Sequence, residues 1–353
     1  MNKRTFAVLF AVITFVVGVA IARLSLPDLS KTPVPPPPRT ELQLSDYSLS
    51  GPYQHENLTI FLVHGPDQSF SGPFTPLEEA MERKVVVVHE TSQVNELAIE
   101  NQSKSEEVFV QAGDIVKGGQ QDRVLAVDLI LPANSGRMPI DAFCVEHGRW
   151  TQRGTEGMNQ FSISRDMVAT KDLKLATKAD PSQAQVWNKV EKAQQGLAGS
   201  VNEDVRSVAS RSSLQLALEN DKVQESAAKY VNKLSSIVEG RSDVIGFVFA
   251  INNELNSADV YPSSAMFKRF WPRLLKAAAI EAVSERSANE KREVVSIAAA
   301  GDFLIAAEKG TESLNEVTTR THMLKRESEK SVFFETRDMA HNGAWIHRSY
   351  LTR

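Results

Sequence analysis

The chain has 353 residues, a formal net charge of −4, 42% apolar and 24% charged residues, and one cysteine. That is enough chain to bury a sizeable core, and the ordinary globular composition excludes bulk disorder, collagen-like sequence and a disulfide scaffold. Residues 1–38 carry Lys3, Arg4, Arg23 and Lys31 against Asp28 alone, so setting aside their net +3 leaves a body at −7. Such a body does not attract phosphate backbones, and nucleic acid is not an expected partner.

Lys3 and Arg4 precede an uncharged apolar run over residues 6–22, closed by Arg23. At 1.5 Å per residue the run covers about 26 Å, longer than the usual signal core and just enough to span a bilayer. The reading is a retained single-pass anchor. Residues 1–5 stay in the cytoplasm, the membrane is contacted through this N-terminal helix, and the body is extracytoplasmic. The alternative is a cleaved signal ending near Ala20-Ile21-Ala22 and a secreted or periplasmic protein. Residues 23–52 read as a linker, in which four consecutive prolines at 35–38 favour extended polyproline II. The folded body is expected over residues 53–353.

In the body, residues 58–63 form an apolar, β-branched strand, and 66–76 a Gly/Pro/Ser loop. Thr75-Pro76-Leu77-Glu78 starts a short helix ending near Arg83. Strands follow over 85–88, 96–101, 108–111, 123–131 and 140–145, at a spacing that suits an antiparallel or mixed sheet rather than βαβ units. Asp180-Pro181-Ser182-Gln183 starts a helix stopped by Gly196 and Gly199, and a second helix runs over 218–238. A strand over 244–251, an Asn252-Asn253 turn and a strand ending at Tyr261 come next. Ser263 caps a further helix, with Pro272 predicting a kink or restart. Strands over 294–299, 317–324, 332–336 and 345–350 complete the tail. The fold class is α+β, a mostly antiparallel or mixed sheet with packed helices, preceded by the transmembrane or signal helix.

Two stretches carry candidate chemistry. The first runs from Gly113 to Arg123, where Gly118 and Gly119 permit positive φ and close backbone approach. Lys117 and Arg123 could add charge to a backbone anion nest, but a Gly-Gly hairpin carrying solvated polar residues explains the same pattern. It is not a P-loop, because Gly119 and Gln120 stand where that motif needs Lys and Ser/Thr, and a strand follows. The second runs from Phe143 to Trp150. Strand alternation places Cys144 and His147 on opposite faces, so Cys144 reads as a small buried hydrophobe, while Glu146 and Arg149 flank one turn as carboxylate and bidentate donor. The candidate ligand-binding set is Asp114, Lys117, Gln121, Asp122, Arg123, Glu146, Arg149 and Trp150, with Asp122, Arg123, Glu146 and Arg149 expected in one cluster. The seven histidines show no metal-ligand spacing, no nucleophile elbow exists, and no cofactor is expected.

The runs ELAIENQS, AGDIVKGGQQDR, LPANSG and PIDAFCVEHGRW, within residues 96–150, resemble a bacterial and archaeal family. It is named for association with ADP-ribosylglycohydrolase and rhodanese-phosphatase superfamily proteins. Its G-x4-G-G-K-Q-D/N-R pattern corresponds to Gly113 through Arg123, with Gln120 in place of the expected Lys, and its C-V-E-x-G-R-W pattern to Cys144 through Trp150. Softer similarity extends over most of the body. The resemblance implies that the two motifs share one site, and it names no reaction.

The preferred function is a non-catalytic module binding a small anionic ligand or a protein partner. The rival is a hydrolase acting on a phosphorylated or nucleotide-sugar, ADP-ribose-like compound. Asp114, Asp122 or Glu146 would be its base, and Lys117, Arg123 and Arg149 would hold the anion.

Overall fold

The computed structural model describes residues 40–353 apart from 45, 71, 92, 150, 155, 158–160 and 287–292. The basic start, the apolar run and the proline tract lie outside the described residues, as does Trp150. Among the described residues no helix is long and apolar enough to cross a membrane.

The architecture is mixed α+β, with seven α-helices and sheets of nine, six and three strands among the described residues. In chain order come β1 (Thr40–Gln43), β2 (Ser48–His55), β3 (Leu58–His64), β4 (Thr75–Pro76), α1 (Leu77–Glu82), β5 (Val86–Glu90), β6 (Glu96–Asn101) and β7 (Val108–Val110). Then follow β8 (Asp114–Gly118), β9 (Arg123–Leu125), β10 (Leu129–Leu131), β11 (Gly136–Cys144), β12 (Phe161–Val168) and α2 (Lys171–Lys174). A π-helical turn (Leu175–Ala179) leads into α3 (Gln183–Val201), α4 (Leu214–Leu218) and α5 (Asp221–Leu234). The chain ends with β13 (Val244–Ile251), β14 (Glu254–Val260), α6 (Ser264–Ser284), α7 (Ile297–Ala307), β15 (Thr311–Glu316), β16 (Thr321–Glu327), β17 (Ser331–Asp338) and β18 (Ala344–Thr352). The first strand starts at Thr40, so residues 40–43 and 48–52 of the expected linker belong to the sheet.

The large sheet has the order β1-β2-β3-β13-β14-β18-β17-β16-β15 and is antiparallel throughout. All seven residues of β3 are buried, because both faces are covered. Leu58, Ile60 and Leu62 share a core with Phe247, Phe249 and the helical Phe267, Phe270 and Trp271. The alternate residues Phe61 and Val63 join Ile245, Val248, Ala300, Phe303 and Leu304 on the α7 face. The two-residue alternation of a strand thus feeds two cores. Between β3 and β13 the chain builds the six-stranded sheet, β12-β8-β9-β11-β6-β5, and the small sheet β10-β7-β4. These two enclose a third core that includes Val88, Leu97, Ile99, Val116, Leu125 and Leu131.

Three expectations are corrected, and a fourth, the restart at Pro272, is excluded. The strand expected over 123–131 splits into β9 and β10, because the chain bends at Val127 and the next residue, Asp128, buries its carboxylate to take the Ala112 N–H at 2.7 Å. The stretch at 294–299 begins a helix instead of a strand: Ser296 caps α7 by accepting the Ala299 N–H, and Ala300, Phe303, Leu304 and Ala307 fall at helical spacing on its buried side. Gly196 and Gly199 do not stop α3, which ends at Asn202 in the left-handed region. Gly196 faces α6, where an added Cβ would sit 2.2 Å from the Ser284 carbonyl oxygen. Helix α6 continues through Pro272 to Ser284, held on both sides of the proline by buried Phe270, Trp271, Leu274 and Leu275.

Candidate functional site

The β8–β9 hairpin and the end of β11 bring the two motifs together. Gly118 and Gly119 adopt φ +118° and +54°, and a Cβ on Gly119 would meet the Phe161 ring at 2.3 Å, so the turn depends on glycine there. The turn folds Asp122 back so that its Oδ1 accepts the Gly118 N–H at 2.9 Å. The Asp122 N–H donates to Glu146 Oε2 at 3.1 Å, which ties the first motif to the second.

Asp122 and Glu146 are both fully buried, and both are saturated by arginine. Arg149 Nε donates to Glu146 Oε1 at 2.8 Å, and its Nη atoms cap the Gly118 and Gly119 carbonyls at 3.1 Å. Arg153 forms a two-pronged pair with Asp122 at 3.0 and 2.9 Å and reaches Glu146 at 3.2 Å. Ser213, which caps α4, donates to Asp122 Oδ2 at 2.8 Å. Burial pushes the Asp122 carboxyl above its ordinary value in spite of Arg153. Burial acts on Glu146 in the same sense, but hydrogen bonds from Arg149 and Ser210 outweigh it and hold Glu146 below its ordinary value. Neither carboxylate has an exposed face from which to take a proton from a substrate.

The other sequence candidates diverge from this network. The Arg123 guanidinium is 1% exposed and turns away to Glu90, 3.6 Å distant, and to the Gln121 carbonyl at 2.9 Å. Lys117 stands at the rim and pairs with Glu219 at 2.7 Å. Gln121 is fully buried with neither amide atom hydrogen-bonded. Asp114 lies apart, bound by Arg273 at 2.8 Å. The expected four-residue cluster therefore holds for Asp122, Glu146 and Arg149, with Arg123 behind it. Arg153 and Ser213 complete it and were not among the sequence candidates. They lie in or after irregular chain, and Ser213 is 91 residues from its partner, so no periodic signal marks them.

Cys144 is buried at the edge of this network, and burial pushes its thiol above the ordinary value. A thiol reagent should label Cys144 only after unfolding; labelling of the folded protein within minutes would contradict the packing.

Beyond the network lies an open groove of about 610 Å³. The second motif supplies its wall: the His147 N–H donates to Ser212 Oγ at 3.1 Å, and the Ser212 hydroxyl donates to the His147 carbonyl at 2.6 Å. The His147 ring meets Trp187 of α3 edge to face at 4.4 Å, and Trp187 Nε1 has no hydrogen-bond partner. Arg206 and Arg211 border the same groove with Asn188 and Ser212. Arg211 pairs with Asp204 at 2.9 Å, but both side chains are more than half exposed, so that pair is weak and exchangeable. Glu191 is the one acidic residue on the lining. Among the described residues no group of three or more His, Cys, Asp or Glu could hold a metal ion.

No curated protein and no solved structure matches the chain. The pattern of the ARG and Rhodanese-Phosphatase-superfamily-associated Protein domain, ARPP-1, covers residues 46–351, and the chain belongs to that family, the one its motifs resemble.

Proposed function

We propose that the body is a binding module for a small anionic ligand carrying a flat ring, taken into the groove beside His147. The observation that carries this reading is the juxtaposition of Arg206 and Arg211 with the aromatic wall made by His147 and Trp187. Cations suit a phosphate or carboxylate, the indole face suits a ring, and the volume falls in the range of small-molecule sites. The paired Asp122, Glu146, Arg149 and Arg153 act as the frame that fixes the groove wall. Because those carboxylates are consumed by arginines, the hydrolase reading has no free base among them. The same reading keeps residues 6–22 as the anchor that holds the module outside the cytoplasm.

Ligand-shift melting tests this with ADP-ribose, AMP and inorganic phosphate as probes. A ligand at one hundred times its Kd stabilises by about 2.7 kcal/mol. We expect a ring-bearing phosphate to raise the melting temperature more than phosphate alone, and the Arg206→Ala/Arg211→Ala double variant to lose the shift while melting normally without ligand. A shift that survives the double substitution, or none with any probe, would remove the groove from consideration.

A further inference from the structure

A second charged cluster lies in the interior, apart from the groove. His347 of β18 is 2% exposed and sits between two buried carboxylates. Its Nδ1 lies 2.9 Å from Asp128 Oδ2 and its Nε2 lies 3.0 Å from Asp259 Oδ1. With a carboxylate at each ring nitrogen, both nitrogens donate and the ring is an imidazolium. Asp128 also accepts the Ala112 N–H at 2.7 Å and the Thr336 hydroxyl.

Two lysines from the α2–π-turn segment complete the cluster. Lys174 Nζ stands 3.5 Å from Asp259, and Lys178 Nζ stands 3.5 Å from Asp128. Three cations thus share two carboxylates, the imidazolium on one oxygen of each at shorter range and each lysine on the other oxygen. Lys178 Nζ also lies 4.5 Å from the centre of the Phe334 ring, a contact that favours the ammonium and, with Asp128, works against loss of its proton. A desolvated lysine beside other cations loses its proton readily. Burial holds Lys178 below its ordinary value, with Lys174 adding to the effect and Asp128 opposing it. Other charged or titratable groups also reach the cluster: Asp114, on which Asp128 acts, is bound by Arg273 at 2.8 Å, and Tyr261 stacks on the His347 ring. Lys325 of β16 donates to the Ala179 carbonyl at 3.1 Å, Asp180 pairs with Arg353 at 3.0 Å, and Asp141 is exposed.

The two lysines differ in the space before them. Lys174 borders a void of about 10 Å³. Lys178 borders a cavity of about 290 Å³ with Asn95, Phe143, Thr177 and Met323, reaching the surface at Asp141 and Asn315. The lysine is presented by a π-helical turn, an uncommon conformation that recurs at functional sites.

We propose that Lys178 is a reactive amine that condenses with a small aldehyde or ketone admitted to this cavity. The neutral Nζ attacks the carbonyl carbon and forms a C–N bond. The carbonyl oxygen then leaves as water with the two amine protons, and an imine remains. The step needs no oxidant or reductant. Phe143 and Met323 offer an apolar wall for the carbon chain, and Asn95 is a polar residue on the same lining, whereas the Thr177 hydroxyl is donated to the Leu173 carbonyl at 2.9 Å.

Reductive trapping tests the proposal on the full-length folded protein. Glyoxylate and acetaldehyde are supplied separately with cyanoborohydride, which reduces an imine to a stable amine, and modified lysines are located by peptide mass spectrometry. The expected result at pH 7 is adduct on Lys178 at least tenfold faster than on exposed Lys84 and Lys229. Between pH 6 and pH 9 its rate should rise far less steeply than theirs. His347→Gln should slow Lys178 labelling at pH 7, since Asp128 is then released to hold the ammonium. If Lys178 stays unmodified in the folded protein while exposed lysines react, or if its rate climbs with pH in parallel with theirs, the proposal fails. The wild-type profile alone decides this even if the His347 variant does not fold.

Discussion

Arg153→Ala should lower the unfolding free energy by about 3–5 kcal/mol, because it strips a buried carboxylate pair of its shared partner. Arg153 is 6% exposed and supplies both of the arginine hydrogen bonds to Asp122 and one of the two to Glu146. Without it, Arg149 remains at 2.8 Å from Glu146 but only at 3.7 Å from Asp122. Two fully buried carboxylates, linked through the Asp122 N–H, would then share one cation. The gross Coulomb energy of the pair is not the quantity at stake, since taking these charges out of water costs a comparable amount; the loss comes from leaving one uncompensated. Lys117→Ala is the control. It removes the rim pair with Glu219, whose side chains are 20% and 36% exposed, and should cost less than about 1 kcal/mol. Urea unfolding of the two variants reads the difference directly. If Arg153→Ala unfolds within 1 kcal/mol of wild type, the network does not close the hairpin onto the second motif.

A second large effect is expected at Glu281, on the buried side of α6. Its carboxyl accepts the Lys171 N–H at 3.2 Å and the Asn256 amide at 3.0 Å. Burial, reinforced by the nearby Glu285, pushes its pKa up to about 7 from an ordinary 4.5, against the opposing pull of Lys171. Between those values the folded chain holds a proton that the unfolded chain has released. The contribution is therefore fully present below pH 4.5 and is lost as the pH rises to about 7, amounting to about 3 kcal/mol across the window. Glu281→Gln keeps a carbonyl acceptor for the Lys171 N–H and removes the titration. At pH 8 it should be more stable than wild type by up to about 3 kcal/mol, with the difference vanishing near pH 4.5. Urea melts of both proteins from pH 4.5 to 8 test this, and parallel pH profiles would rule it out.

The elements that were legible in the sequence are those whose signal is local. Residues 58–64 and 244–251 are short apolar runs bounded by turns, and both are central strands. Asn252 and Asn253 take φ +51° and +62°, a turn that asparagine tolerates better than most residues. Ser263 caps the helix expected after it, and the helix expected to start at Asp180 starts instead at Gln183, capped by Ser182, while Asp180 closes the π-helical turn before it. The failures come where a local signal has two meanings. Val294-Val295-Ser296-Ile297 has strand composition, yet the serine within it caps a helix whose alanines favour that state. Gly196 has the composition of a helix stop, yet it serves the close approach of α3 to α6, which only tertiary packing reveals.

The site divides along the same line. Glycine turns at the ends of two strands were enough to suggest that Asp122, Glu146 and Arg149 meet. The arginines that complete the picture are not legible in this way. Arg153 lies in irregular chain, and Arg206 and Arg211 enter the groove from a turn about 60 residues beyond His147, with no repeat or spacing to connect them.

The order of strands in the large sheet also bears on how the protein is made. β3 ends at His64, and its neighbour β13 begins at Val244, with the whole second lobe encoded between them. At a synthesis rate of about 5–20 residues per second, the interval between the two strands is roughly 10–35 s. Throughout that time β1, β2 and β3 have each other but no partner on the inner edge. That edge presents unpaired backbone groups and the apolar Ile60, Phe61 and Leu62, the combination through which nascent chains join to one another. The inserted lobe can form its own antiparallel pairs meanwhile, since its strands find partners within residues 86–168. With this strand order the inner edge of β3 waits for a partner encoded about 180 residues later, so during synthesis it is open to edge pairing between chains for that interval.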